Sequence, residues 1–349
     1  MAELPTVTLV FLVFNRREEL RRSLQEMLHG TDYPSELIDA IVVDNASEDG
    51  SSDMVREEFP QVQLIRREEN IGIAGWNDGF AVAGGELVMA LDDDCYLPGD
   101  RLRQAVDAMR ADGADLVSFG IARQGDDDYR FNDDYRTGLL SFWGCAVLMR
   151  REVLEALKGF DPQIFVWAHE LEFMVRFFDR GFRHLHAPDI VAIHIKEAPP
   201  EGDWTDYFAS RAYLLNSRHF AYIAAKHLRR REAAGAFVAL LAHNLRDALR
   251  TRREAIKAVP ETLAGFFEGM RRREPVSSAA VSRTYRRNFH SFASPWWLSR
   301  PVHRIVLDAP RIASDRLRGR ATPKPTGRKD AYYAERARYY PASRSALEM

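Results

Sequence analysis

Two periodicities divide the chain. In its first part, short continuous apolar runs alternate with stretches whose apolar positions recur every three to four residues. VTLVFLVF (Val7 to Phe14), AIVVD (Ala40 to Asp44), VQLIRR (Val62 to Arg67), LVMALD (Leu87 to Asp92) and LVSFG (Leu116 to Gly120) have strand length and are rich in β-branched and aromatic residues. Helical spacing covers Glu18 to Leu28, Ser51 to Phe59, Gly75 to Ala83 and Gly99 to Ala111 between them. Strands apolar on both faces and separated by helices predict an α/β fold, Rossmann-like, with a mostly parallel sheet and helices on both faces. From Asp203 the pattern changes to helices rich in Ala, Leu and Arg, broken at the basic turns KHLRRRE and GMRRREP. Beyond about Pro295 the chain is Pro- and Arg-rich with little periodicity. The expected organisation is an α/β domain over residues 1–202, a basic α-helical extension over 203–294, and a partly extended or disordered tail over 295–349.

Composition adds one strong feature. With 349 residues, 46% hydrophobic and 29% charged, the chain has the makeup of a soluble globular protein, and its net charge is only -2. That balance hides a division: residues 1–206 hold 20 Lys and Arg against 40 Asp and Glu, whereas residues 207–349 hold 29 against 11. Regions of such opposite field are expected to meet different partners. Cys95 and Cys145 show neither CxxC nor Cys/His spacing, which argues against a disulfide framework and a zinc site. The N-terminal MAELPTVTLVFLVF lacks the basic start and small-residue cleavage site of a secretory signal. The longest later apolar run, GAFVALLA (Gly235 to Ala242), falls far short of the roughly 20 residues that span a bilayer. A cytoplasmic protein is expected, with peripheral attachment to the inner face of the cell membrane as a further option.

Polar residues gather where the apolar strands end: Asn15 and Arg16 after the first, Asp44 and Asn45 after the second, Asp92, Asp93 and Asp94 after the fourth. In a parallel sheet these groups converge on the rim where ligands bind. Three adjacent carboxylates repel one another, so they need a cation, hydrogen-bond donors or ample water. Two readings stay open for them: a solvated loop that caps the next helix, and a site for Mg²⁺ or Mn²⁺ completed by water and diphosphate oxygens. In IVVDNASEDGSSDMV, an ordinary strand-to-helix turn with Ser51 or Asp49 as N-cap explains Ser47 to Ser52 but leaves Asp44 unexplained. ENIGIAGWNDGF surrounds a helix start with two glycines and two asparagines, where free backbone N–H groups favour an anion.

The order of these stretches carries more than any one of them. FLVFNRREELRRSLQEML, IVVDNASEDGSSD, NIGIAGWNDGF and LDDDCYLPGD, followed by FWGCAVLMRREVLEALKGFDPQIFVWAHELEFMVRFFDRGFRHLHAP, closely resemble the nucleotide-binding half of glycosyltransferase family 2, whose fold is called GT-A. The resemblance covers about residues 5–200. It implies a metal-dependent transferase acting on a nucleotide-sugar, with a UDP- or dTDP-linked donor and a glycan or polyprenyl-linked acceptor. By position, Asp44 binds the base, Asn15 and Asn70 line the nucleotide pocket, and Asn77 lies near the ribose and diphosphate. Asp92 and Asp94 are the outer members of a DxD motif and hold Mg²⁺ or Mn²⁺, with Asp93 between them on the donor side. His194 falls where many relatives have a further metal-ligating histidine, although a lone His on an apolar strand also serves as an ordinary core residue. Trp143 and Gly144, read as the end of a strand, resemble the sugar-facing segment, and Trp167 is a candidate for stacking on the acceptor.

Relatives carry Glu-Asp-x-Asp three residues before an Arg, whereas this chain reads HELEFMVR. Aligned on Arg176, Glu170 takes the base position and Glu172 that of the second acid. Helix geometry votes the same way: Glu172 and Arg176 form an i,i+4 pair in the favourable order. Glu170 faces Phe173 and Met174 at the same spacings, and a carboxylate without a basic partner on an apolar face is a candidate general base. The implied reaction is an inverting displacement in cell-surface glycan synthesis. Alternatives are a noncatalytic nucleotide- or membrane-binding scaffold, or a sugar-phosphate nucleotidyltransferase, whose Gly-rich first loop is replaced here by FNRREE. For the basic C-terminal region three readings stay open: a solvated helical extension, an interfacial surface on anionic lipid, and nucleic-acid binding without a recognised motif.

Overall fold

A run as apolar as VTLVFLV is stable only where both faces are covered, and in the computed structural model of the protein Val7–Val13 is strand β1, buried along nearly its whole length. The structure describes residues 3–124, 126–130, 141–195, 211–250 and 253–292. The chain divides into two compact units, one built from Met1–Asp203 and one that begins at Trp204.

In the first unit β1 lies between two parallel neighbours. Strand β2 (Ile38–Asp44) pairs with it so that Asp44 stands opposite Val13, and β4 (Leu87–Asp92) so that Asp92 stands opposite Leu12. These registers bring the polar ends of the strands level on one rim. Strand β3 (Gln63–Arg66) adds to β2 at the edge. On the other side the sheet is less parallel than expected. Strand β8 (Ala146–Arg150) runs antiparallel to β4 and to β6 (Leu116–Arg123), while β9 (His184–His194) runs parallel to β6. The short β5 (Cys95–Tyr96) pairs antiparallel with β9, and β7 (Asp126–Arg130) with β6. The reversal has a consequence for the rim: β8 begins where β4 ends, with Ala146 opposite Leu91, and β9 finishes with His194 opposite Cys95.

The helices α1 (Arg17–His29), α2 (Ser51–Glu58), α3 (Trp76–Val82), α4 (Arg101–Asp112), α5 (Arg151–Leu157) and α6 (His169–Asp179) cover the sheet. Leu20, Leu24 and Met27 of α1 and Leu102, Val106 and Met109 of α4 bury their apolar stripes in the main core. Neither Ser51 nor Asp49 is the N-cap of α2; Gly50 is, in the left-handed region at φ 84°. Asp49 instead accepts from the Ser51 N–H at 3.0 Å and the Arg17 N–H at 2.8 Å, tying the starts of α1 and α2 together. Helix α6 is buried nearly all round even though it carries Glu170, Glu172 and Arg176, and its Phe173 packs against Phe142, Phe160 and Phe177.

The second unit is helical: α7 (Arg211–His227), α8 (Arg230–Arg250), α9 (Ala258–Arg271) and α10 (Ala279–Phe292). The buried Asn244 joins three of its helices, accepting from the Tyr213 hydroxyl at 3.0 Å and donating to Thr262 Oγ1 at 2.7 Å. The Arg273 guanidinium caps the end of α7 through the Ala225 and Leu228 carbonyls, at 2.6 and 2.8 Å. No helix among the described residues is long and apolar enough to cross a membrane. The expected tail, residues 295–349, lies outside the described residues.

Candidate active site

Strand β4 ends at Asp92, and Asp93 and Asp94 form the tight turn into β5. Asp93 and Asp94 are only 6% and 3% exposed, so a solvated loop does not describe them, and α4 starts behind a different residue, Asp100. Burying like charges requires compensation, and Arg16 at the exit of β1 supplies it. One guanidinium nitrogen, Nη1, lies 3.0 Å from Asp93 Oδ1 and 2.5 Å from Asp94 Oδ2, and the Phe14 N–H donates to Asp93 Oδ2 at 3.3 Å. Burial still pushes the Asp93 carboxyl well above the usual carboxylate range; Asp94 and Asp92 add to that, while Arg16 opposes it. Burial disfavours the Arg16 charge too, yet Asp93 and Asp94 outweigh it and raise the guanidinium pKa.

The end of β9 completes the cluster. His194 Nε2 lies 3.3 Å from Asp94 Oδ1, and one ligand atom each from Asp92, Asp94 and His194 fall within 4.8 Å of one another. Two carboxylate oxygens and one imidazole nitrogen fit Mn²⁺ or Mg²⁺, with remaining positions for water and diphosphate oxygens. The structure thus places His194 beside the two carboxylates.

The residues expected around a nucleotide build the adjoining loops. Asp44 is fully buried, and its carboxylate accepts from the Ser47 N–H at 2.7 Å and from the Ser52 hydroxyl. Asn15 takes the left-handed conformation, φ 55°, which Asn tolerates better than most residues. Its N–H donates to Ser47 Oγ at 2.9 Å and its Oδ1 accepts from the Glu48 N–H at 2.8 Å, linking the exits of β1 and β2. Asn70 Oδ1 accepts from the Gly72 N–H at 2.8 Å. Gly72 has φ 66°, and a Cβ there would overlap the Phe165 carbonyl; Ile73 N–H donates to that same carbonyl at 2.8 Å, fastening this loop to the segment before α6. Asn77 makes a reciprocal pair with the Phe160 backbone, at 2.8 and 2.9 Å, and so clamps α3 to that segment.

The two glutamates of α6 separate cleanly. Glu172 is fully buried and paired with Arg176, whose Nε and Nη2 donate at 2.9 and 2.5 Å; Arg176 also holds the Leu157 and Gly159 carbonyls. Glu170 keeps 17% of its side chain exposed. It is not the unpartnered carboxylate that its helix spacing implied, because its partners come from elsewhere than i+3 and i+4. Gly144 N–H donates to Oε1 at 3.1 Å, and His169 Nδ1 stands 3.2 Å from Oε2. Gly144 and Trp143 lie in the turn that precedes β8 rather than at the end of a strand. The Asp92 N–H donates to the next residue in that turn, Cys145, at 2.9 Å, so one short stretch of backbone touches both Asp92 and Glu170.

Trp167 and Ala168 both have positive φ, 59° and 63°, immediately before α6. Two such residues in succession store strain of the kind found at binding sites. Trp167 is 40% exposed there, whereas Trp143 is half-buried against the core. Three residues have roles at the site that the sequence did not assign to them. Arg16 was marked only by its place at the end of the first strand. His169 carries no spacing signal, yet it is buried between Trp76 and Phe160, and burial lowers its pKa against the opposing charges of Glu170 and Glu172. Gly144 was noted without its reason: a Cβ would meet His169 Nε2 at 2.6 Å and Glu170 Oε1 at 2.9 Å.

This sheet, with its carboxylate rim and reversed β8, is an α/β domain of the GT-A type. Residues 8–178, just under half of the chain, match Glycosyl transferase family 2. It is 28% identical over 122 residues to glycosyltransferase AglE of Haloferax volcanii, covering 34% of this chain and 40% of that protein. It is 27% identical over 172 residues to the undecaprenyl-phosphate 4-deoxy-4-formamido-L-arabinose transferase of Aeromonas hydrophila, covering 44% and 52%. The chain thus matches about half or less of the length of these relatives. Its fold is similar to that of the mannosyltransferase PcManGT from Pyrobaculum calidifontis, solved with GDP-Man and Mn²⁺, at a TM-score of 0.50 and 20% identity over 88% of each chain.

Proposed function

We propose that the first unit is an inverting glycosyltransferase that moves a sugar from a nucleotide-sugar, UDP- or dTDP-linked, to an acceptor hydroxyl on a glycan or lipid-linked carrier. The observation that carries this reading is the joint placement of Asp92, Asp94 and His194 within 4.8 Å of one another, with Glu170 one turn of backbone away. Asp92, Asp94 and His194 would hold the divalent cation. When bound there, it supplies charge neutralisation for the departing nucleoside diphosphate.

The chain's own groups have separate tasks. Arg16, already charged and fixed between Asp93 and Asp94, holds the turn in shape and adds positive potential on the donor side. The loop network of Asp44, Ser47 and Asn15 shapes the nucleotide side. Glu170, oriented by the Gly144 N–H and with His169 Nδ1 3.2 Å from its other oxygen, takes the proton from the attacking hydroxyl, a role worth roughly 10² to 10⁴ in rate. Attack from that side inverts the anomeric centre in a single displacement. Trp167 offers an exposed aromatic face to the acceptor. The Aeromonas relative, named for an undecaprenyl-phosphate acceptor, supports the lipid-linked acceptor, and the GDP-Man and Mn²⁺ complex of the mannosyltransferase supports a nucleotide-sugar donor and a divalent cation.

The test is calorimetric titration of UDP, dTDP and GDP, with and without Mn²⁺, on the wild type and Asp94→Ala. Mn²⁺-dependent binding of UDP or dTDP that the variant loses is the expected result. Binding of GDP alone would correct the donor, and no binding of any nucleotide would overturn the reading in favour of a scaffold.

A further inference from the structure

The outer side of α8 carries Val238, Leu245 and Leu249, with Ala234 and Ala242 in the same stripe, at the spacing of a single helical face. The opposite face, through Ala233, Ala236, Leu240 and Asn244, is buried within the unit. Helix α9 and the turn before it repeat the arrangement: Ile256, Leu263, Phe267 and Met270 face outward. Phe237 of α8 stacks on Phe266 of α9 with ring centroids 4.1 Å apart, which sets the two helices side by side and antiparallel. The two stripes thereby form one surface. Leu249 is 87% exposed, Val238 64% and Phe267 56%. Of the ten large hydrophobic residues exposed among the described residues, seven lie on this hairpin, so the exposure is concentrated rather than scattered.

The charge around it is predominantly positive, with Glu268 paired to Arg271 and Arg272. The antiparallel arrangement brings the start of α8, with exposed Arg230 and Arg231, to the end of α9, with exposed Arg271 and Arg272. Burial and the neighbouring Arg230 both lower the Arg273 pKa, as expected of cations gathered at one end. Residues 211–292 hold 17 Lys and Arg against six Asp and Glu. A nucleic acid would use the arginines but has no use for Leu249, Val238 and Phe267. An anionic lipid surface uses both, burying the apolar stripe at the acyl boundary while its headgroups meet the arginines.

We propose that the α8–α9 hairpin is a docking face for an anionic membrane surface, on which the chain lies without spanning it. The inference stands on the second unit and is independent of the transfer reading, since nucleotide binding and vesicle binding are measured separately. The experiment is flotation of the full chain with vesicles of phosphatidylcholine, with and without phosphatidylglycerol, at low and high salt. The wild type is expected to float with phosphatidylglycerol vesicles and to be released by salt. A Val238→Asp/Leu249→Asp double variant, with helical circular dichroism and nucleotide binding unchanged, should bind about tenfold more weakly or worse. Arg230→Glu/Arg231→Glu, which leaves the apolar stripe intact, should lose the preference for anionic lipid. No flotation of the wild type, or equal flotation of the double aspartate variant, would overturn the proposal. So would a wild-type dimer that Leu249→Asp splits without any vesicle binding, which would give the face to a second copy of this chain.

Discussion

Glu170 and Glu172 sit two residues apart on one helix, and the structure assigns them opposite sensitivities. Glu172 has no exposed side-chain surface and gives both oxygens to Arg176, whose own side chain is 18% exposed and also holds the Leu157 and Gly159 carbonyls. In Glu172→Ala the guanidinium keeps its two carbonyl partners but loses its counter-charge inside the core formed by Phe173 and its neighbours. Removing one partner of a buried ion pair costs about 3–5 kcal/mol, and the residual exposure of Arg176 favours the lower end. For a unit of this size each kcal/mol moves Tm by about 2–4 °C, so a fall of about 6–12 °C is expected. Glu170→Gln is nearly isosteric and its amide oxygen can still accept from the Gly144 N–H, so Tm is expected to stay within about 2 °C. It should nonetheless reduce kcat about 10² to 10⁴-fold. Thermal unfolding by circular dichroism and steady-state transfer from the nucleotide-sugar identified by titration read the two quantities on the same preparations. The reasoning fails if Glu172→Ala leaves Tm unchanged. It fails equally if Glu170→Gln remains active while Glu172→Gln is stable and inactive, which would make Glu172 the base.

Gly144→Ala would press a methyl group against His169 and Glu170. It is expected to lower kcat about 10 to 100-fold by displacing the carboxylate while nucleotide affinity is kept, and unaltered kcat would show that Glu170 needs no such seat. A second prediction concerns acid stability. His184 Nε2 and His186 Nδ1 both meet Ser118 Oγ, at 2.8 and 2.9 Å, and burial, with His186 adding, pushes the His184 pKa down to about 3. The folded state thus keeps His184 neutral, whereas the unfolded chain takes up a proton below about pH 6.5. Stability should therefore fall as pH drops from about 6.5 toward 3, by up to about 1.4 kcal/mol per pH unit from this group. Melting curves of wild type and His184→Gln across that range provide the check, and identical slopes would refute the assignment.

Much of the candidate site was visible in the order of residues because it lies at strand ends. A parallel sheet places consecutive strand termini on one rim, so Asn15, Asp44 and Asp92 announced a shared location before any coordinates. Groups brought in by reversal of direction carried no such announcement. The turn at Trp143–Cys145 reaches Asp92 only because β8 runs antiparallel, and that choice depends on which strands find each other, not on the local pattern of LMR or CAV. The asparagines show a different limit. Asn70 and Asn77 stand where a nucleotide is expected, but their amides bond to the Gly72 and Phe160 backbones, since a polar group near buried backbone is satisfied by whatever lies within reach.

The amino-acid sequence by itself determined the α/β layering, the placement of carboxylates at a strand end, the helical character of the second part, and its basic charge. Each follows from periodicity or from composition, which are properties of neighbours along the chain. Tertiary structure alone decided that Arg16 would neutralise Asp93 and Asp94, that His194 would join them, and that Glu172 would be spent on Arg176 while Glu170 stayed partly open. It also decided which side of α8 and α9 remains bare. These outcomes rest on burial and on distances between residues far apart in sequence, where a few ångströms separate a buried charge with a partner from one without, and no local pattern encodes that separation.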